Sequence, residues 1–283
     1  MINSTRFFFV LVVFSLVSGC TQAPNQTPVQ KYVTDYIEFR PTEGFGKDIS
    51  LDEAETIKRE VIRELEKNLG PSIGYKAGFT ALPVQEKFGL SAPAWGAMFD
   101  VWMVKSGAEV SPESGNYPSY EADFLVVVGE PGLADATTPL EALNYISYVV
   151  PFIELPDGLL MGDPNGMQVI AANITFRGGV LGDWIPVETS EAFVETLGTM
   201  SVVMTDGNST ELGRTTGQAL MGNPMEAAIW LARALRADGI ELKAGDLLSL
   251  GGFFPPKRAA SGLGITVQYI GLPGNPAATV SFK

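Results

Sequence analysis

Apolar residues recur along this chain with two periods, and each change of period marks a change of element. Between Ser50 and Leu69 they fall at Ala54, Ile57, Val61, Leu65 and Leu69, the spacing of one helix face. Ser50 with Glu53 forms a capping box before that face, and Gly70-Pro71 closes it. Thr138-Pro139-Leu140-Glu141 predicts a second helix running towards Ser147. Asn223-Pro224-Met225-Glu226 predicts a third, with a stripe through Ala227, Leu231, Ala234 and Leu235 and an end at Gly239. Alternating or continuous apolar runs predict strands over 73–80, 121–129, 148–155, 201–205, 246–250, 265–270 and 278–282. Asp206-Gly207 and Pro273-Gly274-Asn275 are turn signals between strands. Strands outnumber helices and do not alternate regularly with them, which argues against a doubly wound parallel sheet. The expected fold is α+β: a mixed, mainly β, barrel-like roll with flanking helices.

The first thirty residues are of another kind. A start containing Arg6, an apolar run from Phe7 to Phe14 and the sequence Leu16-Val17-Ser18-Gly19-Cys20 have the shape of a secretory signal, short for a membrane span. The junction resembles a bacterial lipobox, so residues 1–19 are expected to be a signal peptide and Cys20 the lipidated first residue of the mature chain. Residues 20–30, polar and containing proline, then read as a tether, and 31–283 as a single domain. Thr21 after the cysteine resembles lipoproteins sent to the outer membrane, so the expected place is the cell envelope, facing the periplasm and held to the membrane by the lipid at Cys20. Cys20 is the only cysteine, so no disulfide can form within the chain.

Composition removes several functions. The net charge is -13, with no basic stripe to meet phosphates, so no nucleic-acid partner is expected. The chain has no histidine, which excludes Ser-His-Asp and Cys-His catalysis and histidine-rich zinc sites.

Candidate chemistry lies where charges interrupt apolar strands. Glu121 and Asp123 head the run Phe124-Leu125-Val126-Val127-Val128, and period two sets both on one strand face, roughly 7 Å apart. Glu154 closes another apolar run, Tyr148 to Ile153. Three carboxylates without Cys or His make an oxygen-only donor set, suited to Mg²⁺ or Mn²⁺. In Gly74-Tyr75-Lys76-Ala77-Gly78, Lys76 shares its face with two glycines, leaving room beside the ammonium. Taken singly, each feature also fits a solvated strand start, a loop mouth or a surface lysine.

Together they resemble the 2-oxo-4-pentenoate hydratases and 4-oxalocrotonate decarboxylases of the fumarylacetoacetate-hydrolase superfamily. GYKAGFT (74–80) is similar to the family's GYKIGFT, and PVQEKFGLSAPAWGAMFD (83–100) to its segment of the P-x-VQ type. EADFLVVVG (121–129), FIELPD (152–157), AANITFRGGVLG (171–182) and AGDLLSLGG (244–252) resemble further family stretches in the same order. The resemblance covers about residues 50–282. It implies the superfamily's barrel-like roll, a Mg²⁺ or Mn²⁺ held by Glu121, Asp123 and Glu154, and a small 2-oxo acid substrate. It places Lys76 and Asp100 as catalytic residues, with Lys76 and Asn173 binding substrate. Asp123 stands for the usual Glu, Ala172 for an Asp and Leu250 for a Thr, the last removing a hydroxyl from an expected substrate-facing turn. The expected activity is a metal-dependent lyase, a hydratase or decarboxylase working through a metal-stabilised enolate; a non-catalytic metal- or ligand-binding envelope lipoprotein on the same fold is the alternative. The sequence leaves a homo-oligomer open.

Overall fold

The computed structural model describes residues 26–113 and 115–283, so the predicted signal segment and Cys20 lie outside the described residues. The first helix, α1 (Pro28–Ile37), begins inside the stretch read as tether, because Thr27 and Gln30 form a capping box and Pro28 fits the first turn. Helix α2 (Leu51–Leu69) has the Ser50–Glu53 capping box that its sequence predicts.

The larger sheet is built from β1 (Gly74–Gly78), β2 (Ala94–Met98), β3 (Met103–Lys105), β5 (Ser119–Val128), β6 (Ile146–Leu155), β7 (Gly178–Leu181) and β11 (Leu247–Ser249). Their order across the sheet is β2-β1-β11-β5-β6-β7-β3, with β8 (Ile185–Pro186) added on β6 and β12 (Lys257–Arg258) on β5. The smaller sheet contains β4 (Ala108–Val110), β9 (Ser201–Asp206), β10 (Glu211–Thr216), β13 (Gly264–Ile270) and β14 (Ala277–Phe282), ordered β10-β9-β13-β14-β4. Parallel pairs occur beside antiparallel ones (β1 with β11, β3 with β7, β4 with β14), so both sheets are mixed, as expected.

Both faces of the larger sheet are buried, and β5 shows how. Ala122, Phe124, Val126 and Val128 enter a core shared with the smaller sheet, with α6 (Glu191–Thr199) and with α7 (Pro224–Ala237). Leu125 and Val127 enter a second core under α1, α2 and α5 (Gly166–Ala171). Burial on both sides explains why β5 and β6 read as almost unbroken apolar runs. It also settles where Glu121 and Asp123 go, since period two carries them onto the face of Leu125.

Two shorter helices depart from expectation or escape it. The second predicted helix stops early: α4 (Pro139–Ala142) gives way to a 3-10 turn, and β6 already begins at Ile146. Pairing of Ile146 with Val128 in the β5–β6 ladder claims the end of the segment that the helix would have used. Helix α3 (Leu82–Phe88) fills the segment after β1 and ends on Gly89 in the left-handed region at φ 69°.

Candidate active site

Antiparallel register places Glu121 of β5 directly opposite Glu154 of β6, with Asp123 opposite Phe152. Side chains of such a pair stand about 4.5–5.5 Å apart at Cβ, and like charges there repel. Lys76 reaches the pair from β1: its Nζ donates to Glu154 Oε1 and, at 3.4 Å, to the carbonyl oxygen of Ile174. The predicted acids and the predicted lysine therefore converge. Asp123 and Glu154 are buried, Lys76 nearly so, and Glu121 keeps part of its surface in solvent.

Asp123 is anchored by donors on β11 and the loop after it. Ser249 Oγ donates to Oδ2 at 2.8 Å and the Gly251 amide to Oδ1 at 3.2 Å. Ser249 was not picked out from the sequence, although a lone hydroxyl between Leu248 and Leu250 was visible there. Leu250, read as facing substrate, is fully buried in the opposite core. One residue of strand parity separates the two, and Ser249 rather than residue 250 supplies a hydroxyl on the acid face. Beside it, a methyl group at Gly252 would run into the Glu121 carboxylate, so the missing Cβ of Gly252 lets the acid approach the loop.

Burial sets the electrostatics. It raises the Glu121 carboxyl well above its usual range, reinforced by the Glu154 charge. Burial, then Glu154, pushes Asp123 to about 7 against the pull of the Ser249 hydrogen bond. For Lys76 burial alone would lower the pKa, but the charges of Glu154 and Glu121 outweigh it and leave the ammonium raised. Three ionised carboxylates and one ammonium sum to -2, a charge that a buried cluster cannot hold without protons or a further cation.

The lysine's second partner sits in an unusual turn. Asn173, Ile174 and Thr175 all have positive φ, at 54°, 49° and 52°. Left-handed geometry costs a residue with a Cβ roughly 1–2 kcal/mol, and a β-branched one is a particular outlier. Ile174 packs on Gly78, where an added Cβ would come within 2.7 Å of Ile174 Cγ2. The room that Gly78 leaves beside Lys76 is thus taken by the turn.

Two predicted residues make no hydrogen bond to the carboxylates. Asn173 is buried, but its Oδ1 accepts from the Ala97 amide at 2.7 Å and its Nδ2 donates to the Ala97 carbonyl at 2.9 Å. Both ends of its amide clamp β2. Asp100 opens an exposed 3-10 turn, Asp100–Trp102, where its carboxylate is solvated and is not brought to the cluster. Among the described residues no three acidic side chains stand as a ready-made metal cage. Yet Glu154 Oε2 is buried without a hydrogen-bond partner, so the cluster holds one unclaimed acceptor.

No protein-family model matches the chain. It is 30% identical to the 2-keto-4-pentenoate hydratase of Paraburkholderia xenovorans (strain LB400), over 74% of this chain and 76% of that protein. It is 26% identical to the 4-oxalocrotonate decarboxylase of Pseudomonas putida, over 80% and 84% of the two chains. The chain belongs to this hydratase and decarboxylase family. Among solved structures, the 4-oxalocrotonate decarboxylase from Pseudomonas putida G7, complexed with magnesium and adipate, matches with a TM-score of 0.79 at 23% identity, covering 90% of this chain and 96% of that one. Fumarylpyruvate hydrolase from Pseudomonas aeruginosa, in complex with Mn²⁺ and pyruvate, matches more distantly, with a TM-score of 0.50 at 13% identity and coverage of 74% and 89%. The fold is that of the fumarylacetoacetate-hydrolase superfamily, as the motifs implied.

Proposed function

We propose that this protein is a divalent-metal-dependent lyase that hydrates or decarboxylates a small 2-oxo acid of the 2-keto-4-pentenoate type. The observation that carries the reading is the meeting of Lys76 with Glu121, Asp123 and Glu154 in one cluster. A divalent ion fits this cluster by donor type, by charge and by the unclaimed Oε2 of Glu154. Glu121, Asp123 and Glu154 would hold it. Bound there, Mg²⁺ or Mn²⁺ would neutralise the excess charge and act as a Lewis acid towards the oxygens of a 2-oxo acid.

The chain's own groups do the rest. Ser249 and Gly251 fix Asp123, so its carboxylate need not reorganise when substrate arrives. Lys76 Nζ carries a proton that it can pass to a substrate carbon, with Glu154 Oε1 as its partner at rest. Hydrolysis through an imidazole is excluded, because the chain has no histidine. The test is direct: metal-loaded protein should consume 2-keto-4-pentenoate or a near analogue, and chelator-treated protein should not.

One observation favours the second reading, a ligand-binding protein on the same fold. Asn173, a position the family resemblance gives to substrate, spends both amide atoms on Ala97. Substrates that raise the melting temperature but are never consumed would decide for it. We also propose that Cys20 anchors the protein to the envelope membrane, on the strength of the Val17-Ser18-Gly19-Cys20 junction. Cys20→Ser should then leave the precursor unprocessed and change its distribution in cell fractionation; unchanged processing and membrane association would refute the anchor.

A further inference from the structure

Two buried phenols of α1 grip the turn that carries Ile174. Tyr32 Oη donates to the Ala172 carbonyl at 3.0 Å, and Tyr36 Oη donates to the Phe176 carbonyl at 2.7 Å. The two bonds fall on either side of the left-handed residues Asn173, Ile174 and Thr175. Both tyrosines are about as buried as the core allows, at 1% exposure, and each gives its single hydroxyl proton to that turn. Arg177 tightens the same junction: Nη1 donates to the Tyr36 carbonyl at 2.7 Å, and the guanidinium lies 3.9 Å from the Tyr36 ring centroid.

Three consecutive left-handed residues persist only where their surroundings over-determine them. The turn's own bonds are long, Thr175 N to Ala172 O at 3.2 Å and Phe176 N to Asn173 O at 3.3 Å. The shorter bonds come from outside it, from α1 and from the clamp of Asn173 on β2. What the turn holds in place is the Ile174 carbonyl, the backbone acceptor of Lys76 Nζ. Resting on the role given to Lys76 above, we propose that Tyr32 and Tyr36 are positioning residues: through the Ala172–Phe176 turn they hold the Lys76 ammonium inside the acid cluster.

Phenylalanine keeps each ring and removes only the hydroxyl, so Tyr32→Phe with Tyr36→Phe in the full chain is the test. Acetylation by an amine-specific reagent, followed residue by residue by mass spectrometry, reads the exposure of Lys76 without any need for turnover. Lys58 is the internal control, being fully buried on α2 against the Trp95 ring at 3.8 Å and paired with Glu55. Loss of two net hydrogen bonds predicts an increase of about tenfold or more at Lys76, with Lys58 unchanged. If the pair of substitutions does not fold, Tyr32→Phe alone gives the same comparison with a smaller effect. In turnover, the phenols should cost nothing further once Lys76→Ala has removed their target, which a double-mutant cycle detects. Selective labelling of Lys76 in a protein that consumes no substrate would sink the lyase reading and leave this proposal standing. A rise at Lys58 equal to that at Lys76, or no rise at either, would overturn it.

Discussion

Lys76→Ala should cut turnover by the metal-loaded protein ~10²–10⁴-fold, the range that a positioned proton-transfer group contributes. Metal affinity should hold or increase, because Lys76 occupies an oxygen of Glu154 and repels any second cation. The metal-free variant should be the least stable form. Stripping a buried ion pair of one partner costs roughly 3–5 kcal/mol, and here three carboxylates are left facing one another. Calorimetry for the metal and absorbance for the dienoic acid separate the two effects. Affinity falling in step with turnover would mean that Lys76 serves the ion and that the proton carrier is elsewhere.

Elements governed by one strong period were legible in the sequence. Helix α2 matched because its cap, stripe and closing glycine all agree. Strands β5 and β6 matched because burial on both faces leaves few residues but apolar ones. The misses are segments whose signal is shorter than the window needed to see it. Helix α5 has the Asn165–Gln168 capping box, but six residues show no stripe. Strand β2 is buried at every position, so no alternation betrays it. The end of α4 was decided by pairing across the sheet, which no local pattern reports.

The site divides in the same way. Glu121, Asp123, Glu154 and Lys76 stand out as charges inside apolar strands, and the order of the family motifs gives each its role. Leu250 was misplaced by one step of strand parity, and Ser249 was missed with it. The Ile174 carbonyl could not be seen at all, since a backbone oxygen carries no residue signature and its direction depends on three left-handed residues. The resemblance alone gives Asn173 to substrate, and only coordinates show that both ends of its amide bond Ala97.

Metal-free protein should be more stable near pH 5 than near pH 8, and Glu121→Gln should reverse much of the loss. Burial and the Glu154 charge push Asp123 up to about 7 in the folded chain, from an ordinary 3.8 in the unfolded one. Between those values the folded state keeps a proton that the unfolded state has released, so stability present at low pH is lost as pH rises through 7. Glu121 is raised too and acts in the same direction, while Lys76 is raised and stays charged across the window. For Asp123 the loss is on the order of a few kcal/mol, and each kcal/mol moves Tm by about 2–4 °C in a domain this large. A divalent ion should offset it increasingly as pH rises, because its ligands must be deprotonated. At 100 times Kd that offset is about 2.7 kcal/mol. Glu121→Gln keeps the volume beside Gly252 and the Lys76–Glu154 pair, but removes the charge opposite Glu154. At pH 8 the metal-free variant should therefore melt several degrees above wild type, by about the few °C per kcal/mol given above, with little change at pH 5 and a weakened response to Mg²⁺ or Mn²⁺. A lower Tm at pH 8 with the full metal response intact would show that Glu121 is neither strained by its neighbours nor a ligand.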